Sequence, residues 1–387
     1  MSFLYIFALM ESLLHYVWQH RMFNMDGLKT TGGLCVDILY CGEHNVNQGP
    51  DFLNAKILID GIVWVGNVEL HTRSSDWNRH GHNTDPVYNT TILHVVEKAD
   101  VDVFMQNGMA VWQLEIVIPE GLGNRFRELI KSNDYPRCHR FVSSIPSVKV
   151  NSWLDSLLVE RLVNKNRRVA SVLGQTGNNW NHTAFVLMAR TLGFGLNGDP
   201  MELWAIHLPY EELYRKLGRI SYLHLEKLFL DMAALEDAEK KGAWRYMRIR
   251  PGNYPEVRIK QLASVFFNRQ CGADEILRCE DLIQLTEVFL VAGFSKVVSR
   301  LLVINAACPL IFSYGIVYGL EEYRNRALCV LSELRGEDNY ILRQWRACGL
   351  EVSTAADSQA LIQLKREYCD HFRCLECRFG FEFMSQK

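Results

Sequence analysis

The chain has 387 residues, 48% of them hydrophobic and 22% charged, so it is long enough for two or three domains with real cores. Its formal net charge of −2 excludes a general electrostatic attraction to nucleic acid, so any such partner must be met by a local basic patch. The cysteines number 11 and are scattered mostly among apolar residues. This pattern indicates reduced thiols in a cytoplasmic protein rather than a disulfide framework.

The N-terminal segment is apolar but lacks a basic leading stretch, and Glu11 interrupts it, so it predicts neither a signal peptide nor a membrane span. Apolar residues then recur at helical spacing from Met10 onward (Leu13, Leu14 and Val17), which predicts an amphipathic helix. No later segment reads as long and apolar enough to cross a bilayer. We therefore expect no membrane partner.

The pattern of the chain changes once. Segments rich in Val, Ile, Leu and Trp predict strands, and two short helices are predicted among them. The strands are expected at 34–39, 53–59, 62–70, 92–96 and 111–118, and the helices at 85–89 and 122–131. From Trp153 onward apolar residues recur at helical spacing. We predict an α/β domain at 10–145 and a larger, mostly α-helical domain at 150–387, joined by a linker near 143–153.

Asp60-Gly61 separates two of the predicted strands and signals a β-hairpin. A three-residue loop over 59–61 would place Asp51 opposite Glu69. A two-residue loop would instead turn Asp51 to the other face of the sheet, because side chains alternate along a strand. We expect the three-residue loop.

With that register, Asn67, Glu69 and His71 lie on one face of their strand, beside Asp51. Two carboxylates across a strand pair repel each other unless a cation joins them. A hard divalent cation such as Mg²⁺ or Mn²⁺ is the natural partner for these oxygen ligands. The alternative is an unrelated pair of surface carboxylates.

Pro50-Asp51, a hairpin and then Glu69-x-His71 resemble the PD-(D/E)XK nuclease superfamily. In that superfamily the Asp and Glu of the core hairpin bind the metal ion, and a lysine usually stands where this chain has His71. The resemblance implies a mixed sheet with flanking helices and Mg²⁺ or Mn²⁺ bound by Asp51 and Glu69. It also implies cleavage of DNA or RNA phosphodiesters, with His71 positioning or deprotonating the attacking water.

A second resemblance covers nearly the whole chain. The chain is similar to a bacterial family catalogued only as a domain of unknown function. The similarity rests on the stretches GPDF, GNVELHTRSSDW, HGHNTDPVY, ILHVV, VERLVNKNRR, RIRPGNYPEVRIKQLA and SQALIQLKREYC. It implies a nuclease-like N-terminal domain joined to a family-specific helical region.

Polar and titratable residues crowd the stretch after the hairpin, and five of the 12 histidines lie between residues 44 and 94. We expect Ser75, His80 and His82 to contact the substrate. A zinc-dependent hydrolase using His71, His80 and His82 is an alternative, because three such ligands suffice for an open zinc site. A helix cap with solvent-facing histidines is the other alternative.

The segment RIRPGNYPEVR in the helical region is a basic, Pro/Gly-rich loop that leads into a helix. Guanidinium groups next to a helix N-terminus predict phosphate contacts from Arg248, Arg250 and Arg258. The alternative is a rigid turn whose arginines pair with carboxylates. A second basic stretch, 164–168, is typical of a solvated helix face.

A cysteine cluster lies near the C-terminus. Cys374 and Cys377 have the CxxC spacing of metal ligands, and Cys369 adds a third thiol. Cys138 is the best candidate for a fourth ligand, with His371 or His139 as substitutes. Some relatives within the nuclease superfamily hold an iron–sulfur cluster with widely spaced cysteines. Zinc, an iron–sulfur cluster and plain thiols all remain open.

These patterns together favour a divalent-metal-dependent nuclease that acts on DNA or RNA. The alternative from a different class is a non-catalytic nucleic-acid-binding or assembly protein that retains the same fold.

Overall fold

The computed structural model describes residues 3–132, 134–234 and 244–386. The chain forms two compact units, Met1–Cys138 with Phe372–Lys387, and His139–His371. The predicted order, a sheet domain followed by a larger helical region, is confirmed. The boundary differs from the predicted one, because the second unit begins at His139 and a long helix already covers most of the expected linker.

The first unit is built on a mixed sheet. Its strands are β1 Val36–Tyr40, β2 Glu43–His44, β3 Phe52–Ile59, β4 Ile62–Arg73, β5 Thr91–Lys98 and β6 Gln113–Glu115. The hydrogen-bonded order is β1-β3-β4-β5-β6, and β2 also pairs with β3. Strand β3 is antiparallel to β1 and β4, whereas β4, β5 and β6 run parallel. The helices of this part are α1 Phe3–Gln19, α2 Asp76–Arg79 and α3 Glu120–Lys131, and a 3-10 helix covers Pro86–Thr90.

Helix α1 buries the apolar face that its sequence predicts. Leu13, Leu14, Val17 and Trp18 are fully buried. The Trp18 indole N–H donates to the carbonyl oxygen of Cys41 at 3.1 Å, so the polar atom of this buried ring is satisfied.

The β3–β4 hairpin has a two-residue turn, so the expected three-residue loop is wrong. Ile59 pairs directly with Ile62. Asp60 and Gly61 have φ values of 48° and 82°. Two consecutive residues with positive φ are the signature of a type I′ turn, whose twist matches that of the flanking strands.

A β-bulge at the start of β3 nevertheless restores the expected pairing. The register shifts between Phe52 and Ala55, and Asn54 within this stretch has φ 57°. Phe52 therefore pairs with Val68. The extra residue brings Asp51, one position earlier, beside Glu69 on the neighbouring strand.

Among its described residues, the second unit contains helices and no named strand. Its helices are α4 His139–Val142, α5 Ser147–Gln175, α6 Trp180–Leu192, α7 Gly198–Ile206, α8 Tyr210–Lys216, α9 Tyr222–Ala233, α10 Pro255–Phe267, α11 Ala273–Arg278, α12 Leu282–Val291, α13 Lys296–Leu302, α14 Cys308–Val317, α15 Glu321–Glu333, α16 Tyr340–Ala347 and α17 Ala355–Gln363. Two π-helical segments, Val303–Ala307 and Leu364–Cys369, follow α13 and α17 directly.

The continuous helical stretch Lys296–Val317 is long and apolar enough to cross a membrane by length and composition alone, contrary to the expectation from the sequence. Two thirds (67%) of the apolar 18-residue window within it is buried inside the protein. Ile304, Leu310 and Ile311, for example, are fully buried. Its apolar side chains therefore have the surroundings of a core helix.

The C-terminal helix α18, Arg378–Met384, belongs to the first unit rather than to the helical one. The Arg125 guanidinium on α3 donates to the carbonyl oxygen of Met384 at 2.9 Å. The ring of Phe381 lies edge-on to that of Tyr16 on α1. These contacts explain why the expected boundary of the helical domain, at the end of the chain, does not hold.

The bulge generates a stability prediction at Asn54, an exposed residue with positive φ. Replacing Asn54 with valine should lower the free energy of unfolding by about 1–3 kcal/mol, because a β-branched residue is strained in this conformation. The control Asn54→Gly should stay within about 1 kcal/mol of the wild type, since glycine adopts positive φ freely. Urea unfolding measures both, and equal stabilities of the two variants would contradict the role of the bulge.

Candidate metal centre

Two reciprocal hydrogen bonds hold Asp51 against strand β4. The backbone N–H of Asp51 donates to Glu69 Oε2 at 3.0 Å, and the N–H of Leu70 donates to Asp51 Oδ2 at 2.9 Å. Glu69 is only 4% exposed. The structure thus brings together the two carboxylates that the hairpin pattern selected.

Three histidines converge near the Glu69 carboxylate, and two of them lie directly beside it. His71, His80 and His82 each offer a nitrogen, and these ligand atoms all lie within 4.8 Å of one another. The other oxygen of Glu69, Oε1, is 3.0 Å from His82 Nε2 and 3.7 Å from His71 Nε2. Among the residues that the structure describes, this is the one group of three or more His, Cys, Asp or Glu side chains close enough to hold a metal ion.

Strand β4 and the turn after it position these side chains. Glu69 and His71 are two residues apart in β4 and therefore lie on the same face of the strand. Helix α2 then reverses the chain, so that His80 and His82 return to that face. The buried Asp76 carboxylate fixes this reversal, because its Oδ2 accepts from the backbone N–H of Arg73 at 3.3 Å. The ring of His82 stacks on Tyr88 with centroids 3.8 Å apart.

Ser75 anchors the same turn instead of facing the histidines. Its backbone N–H and its hydroxyl donate to the two carboxylate oxygens of Asp100 at 2.8 and 2.9 Å. The hydroxyl of the buried residue Ser74 donates to Asp100 Oδ1. These bonds give Ser75 a structural role, because they stabilise the loop. The substrate contact expected from Ser75 stays a prediction.

The sequence did not single out His94 and His15, which also join the cluster. His94 on β5 is fully buried and pairs with Glu69 across the parallel strands; its Nε2 lies 2.8 Å from His71 Nδ1. His15 on α1 places its Nε2 at 3.3 Å from Asp51 Oδ2. The density of histidines between 44 and 94 was a signal for His94. The polar pair Glu11 and His15, one helical turn apart, was a weaker signal for His15.

Burial controls the electrostatics of the centre. It raises the pKa of Glu69 to about 9, and the nearby negative charge of Asp51 adds to the effect. Burial also lowers the pKa of His94 to about 3 and holds the pKa of His82 below its ordinary value. The pKa of His71 is lowered too, first by burial and then by repulsion from His94. These imidazoles are therefore neutral at pH 7, which is the form that binds metals.

His15 is the exception. Burial opposes its charged form, but the adjacent Asp51 carboxylate outweighs burial and raises the pKa of His15. The centre therefore carries one imidazole that favours a proton, beside several that do not.

The contacts of His71 assign the roles of its two nitrogens. Its Nε2 faces Glu69 and His80, at 3.7 and 3.0 Å, whereas its Nδ1 faces His94. With Nε2 as a ligand atom, the Nδ1–H donates to His94 Nε2. A metal-binding histidine almost always donates its second nitrogen to an acceptor, and that bond fixes both its tautomer and its orientation.

The arginines expected to bind phosphate lie in the helical unit and differ among themselves. Arg248 and Arg250 are exposed. Arg258 is buried, its guanidinium lies over the Phe194 ring, and it donates to Gln261 Oε1 at 2.5 Å and to Asn253. Arg258 is thus a structural residue of the turn, because a buried and partnered guanidinium is closed to a phosphate.

The cysteines do not form a metal group among the described residues. Cys138, Cys374 and Cys377 belong to the first unit and Cys369 to the second. Without a metal ion, burial, followed by repulsion from Cys377, raises the pKa of Cys374 to about 12, so its thiol is protonated in that state. The four-cysteine metal site therefore stays a prediction.

Comparison with known proteins assigns the chain to a family. No curated protein and no solved structure matches the chain. A family model matches residues 11–241 and 234–293, which span both units. The chain therefore belongs to the family described as "Protein of unknown function (DUF2851)".

Proposed function

We propose that this protein is a metal-dependent hydrolase whose centre is formed by His71, His80 and His82. The observation that carries the proposal is the convergence of these three imidazole nitrogens within 4.8 Å of one another, beside the carboxylate of Glu69. Three imidazole nitrogens favour a transition metal such as Zn²⁺ over Mg²⁺, which prefers oxygen ligands.

The donor atoms suit such an ion. Ligand nitrogens of a tetrahedral zinc site lie about 3.3 Å apart, given zinc–nitrogen bonds of about 2.0–2.1 Å. The contact of 3.0 Å between His71 Nε2 and His80 Nδ1 is close to that spacing. His82 Nε2 is buried and makes no well-directed hydrogen bond. His80 is exposed, which leaves the centre open to water and substrate on one side.

The chain's own residues have separate tasks in this proposal. Glu69 Oε1 lies beside the ligand nitrogens. A cation bound at the centre would favour the ionised form of Glu69, which can then accept a proton from the attacking water. Asp51 holds Glu69 in place through its backbone N–H. His94 orients the His71 ring. A bound Zn²⁺ would supply a lowered pKa for water and polarisation of the substrate.

The substrate class we propose is the phosphodiester. Support comes from the resemblance of Asp51, the hairpin and Glu69-x-His71 to the PD-(D/E)XK nuclease superfamily. Arg73 adds to it, because it is exposed, lies two residues after His71 on the same face of β4 and can meet a phosphate oxygen.

The pairing of Asp51 with Glu69 favours a second candidate, a Mg²⁺- or Mn²⁺-dependent nuclease in which these two carboxylates bind the ion. In that case the histidines would orient water and substrate and would not bind metal. The choice of metal, and the residues on which its binding depends, separate the two candidates.

The first prediction concerns metal binding. The wild-type chain should bind one Zn²⁺ in calorimetric titration, and His71→Ala or His82→Ala should weaken that binding by at least about a hundredfold, because each removes a ligand. His224→Ala is the matched control, since His224 is exposed in the other unit. Mg²⁺ binding that is lost in Asp51→Asn but retained in His71→Ala would overturn the zinc centre in favour of the second candidate.

The second prediction isolates His94. Replacing His94 with alanine should weaken Zn²⁺ binding by about 10–100-fold without changing the one-to-one stoichiometry, because His71 loses the acceptor that fixes its tautomer. His94→Gln, which retains a hydrogen-bonding group, should recover part of the affinity. Unchanged affinity in both variants would show that His94 does not orient His71.

The third prediction concerns the reaction. The zinc-loaded chain should hydrolyse a generic phosphodiester such as bis(p-nitrophenyl) phosphate. Glu69→Gln should lower kcat by about a hundredfold or more, the usual contribution of a general base. The same variant should still bind zinc, so its loss of activity would not report a lost metal. Full activity of Glu69→Gln, or no activity of the zinc-loaded wild type, would contradict the proposal.

A further inference from the structure

The helical unit contains a cavity of about 550 Å³ with an excess of basic side chains in its lining. Small-molecule sites in proteins usually measure about 300–1,000 Å³, so the volume suits a ligand of nucleotide size. Apolar side chains, including Val169, Leu187 and Leu301, complete the wall. The cavity therefore combines apolar surface with a few charged groups, as ligand sites do.

The charges of the lining do not cancel. Arg168 and Arg190 both pair with Asp199 and Glu202, for instance Arg168 Nε with Glu202 Oε2 at 3.0 Å. Three further cations, Arg161, Lys165 and Arg366, line the same cavity, and Glu337 is the carboxylate of the lining. With Lys165 protonated, this leaves an excess of about two positive charges, which favours the binding of an anion.

Arg366 is the most available of these cations. It is exposed, and within the described ranges 3–132, 134–234 and 244–386 no hydrogen bond or ion pair engages its guanidinium. Arg161 has one long contact, from its Nε to Gln359 Oε1 at 3.4 Å. Both guanidinium groups therefore retain donors for a ligand.

Lys165 is held in place by an irregularity in the helix beside it. In the π-helix Val303–Ala307 the N–H of Cys308 donates to the carbonyl of Val303, five residues back. The next donor in that series would be residue 309, but Pro309 has no N–H. Ile304 O thus remains open, and Lys165 Nζ donates to it at 3.3 Å and to Asn305 Oδ1 at 3.0 Å. The stretch 164–168 is therefore only in part the solvated face that the sequence predicts.

Both π-helical segments described above border this cavity, one through Asn305 and the other through Arg366. π-Helical turns have poorer backbone geometry than α-helical ones and occur frequently at functional sites. Two of them at one basic cavity are therefore an observation independent of charge.

We propose that this cavity binds a phosphorylated small molecule of nucleotide size, whose phosphate groups contact Arg161, Lys165 and Arg366. Guanidinium groups match phosphate oxygens bidentately, and a lysine adds a point charge. The site lies within the helical unit and its ligand is independent of the proposed metal centre.

The lowered pKa values of two of these cations, Arg161 and Lys165, agree with an anionic ligand. Burial, and then the charge of Arg161, lower the pKa of Lys165 to about 7, and burial, followed by Arg366, lowers the pKa of Arg161 to about 10. Like charges crowded in a partly buried site disfavour one another. A bound phosphate would relieve that repulsion.

The test is calorimetric titration of the full chain with ADP and with inorganic pyrophosphate, and with adenosine as an uncharged comparison. ADP or pyrophosphate should bind at one site and adenosine should not. Arg366→Gln and Arg161→Gln should each weaken binding by at least about tenfold, because each removes a charged hydrogen bond. Arg343→Gln, an exposed arginine of the same unit, is the matched control and should change binding by less than about twofold.

Thermal melting of each variant checks the fold. Should Arg161→Gln fail to fold, Arg366→Gln still decides, since its side chain is exposed. Absence of binding by both phosphorylated probes at millimolar concentration, or equal binding by all variants, would overturn the proposal. The last titration uses a single-stranded oligonucleotide without terminal phosphates. If Arg366→Gln weakens binding of the oligonucleotide but not of ADP, the cavity serves a nucleic acid and the proposal fails.

Discussion

The pair of hydrogen bonds between Asp51 and β4 fixes the position of the candidate centre. Strand β3 begins at Phe52, opposite Val68, so the Leu70 N–H lies beyond the last residue of β3 that pairs with β4. The Asp51 carboxylate accepts that N–H, and the Asp51 N–H satisfies Glu69 in return. Buried backbone groups must find hydrogen-bond partners. These two bonds therefore stabilise strand β4 and at the same time fix the positions of the Asp51 and Glu69 carboxylates.

The histidine cluster is costly as a purely structural feature. Polar groups buried without full hydrogen bonding destabilise a fold, and His94 Nδ1 and His82 Nε2 both lack a well-directed partner. An apolar core would fill the same volume without this cost. The apolar cluster of Trp77, Tyr88, Val103 and Val111 packs beside it and keeps the imidazoles in defined positions. Perturbed titratable groups in a rigid setting of this kind are typical of functional sites.

In the helical unit, partners distinguish structural cations from those available to a ligand. Arg258 is buried with two hydrogen-bond acceptors and an aromatic ring, which accounts for its charge within the fold. Arg161 and Arg366, by contrast, repel each other across a cavity. Both kinds occur in stretches that look equally basic in the sequence, so composition alone cannot separate them.

The sequence by itself predicted five of the six strands, the amphipathic helix α1 and the turn at Asp60-Gly61, because these depend on residues that are close along the chain. It also identified Glu69, His71, His80 and His82, which lie within one short stretch. It did not predict the two-residue strand β2. Only the tertiary structure decided the register, because a single bulge at Asn54 reverses which face Asp51 occupies.

The tertiary structure likewise decided which distant residues join each site. His71 meets His94, 23 residues later, through the parallel pairing of β4 and β5, and Arg161 meets Arg366 through the packing of helices far apart in sequence. Of the four cysteines that were candidates for a metal site, Cys369 belongs to the second unit and Cys138, Cys374 and Cys377 to the first. Local spacing carries information about turns, strands and helix faces. Contacts between distant residues depend on strand order and packing of the whole unit, which no short pattern encodes.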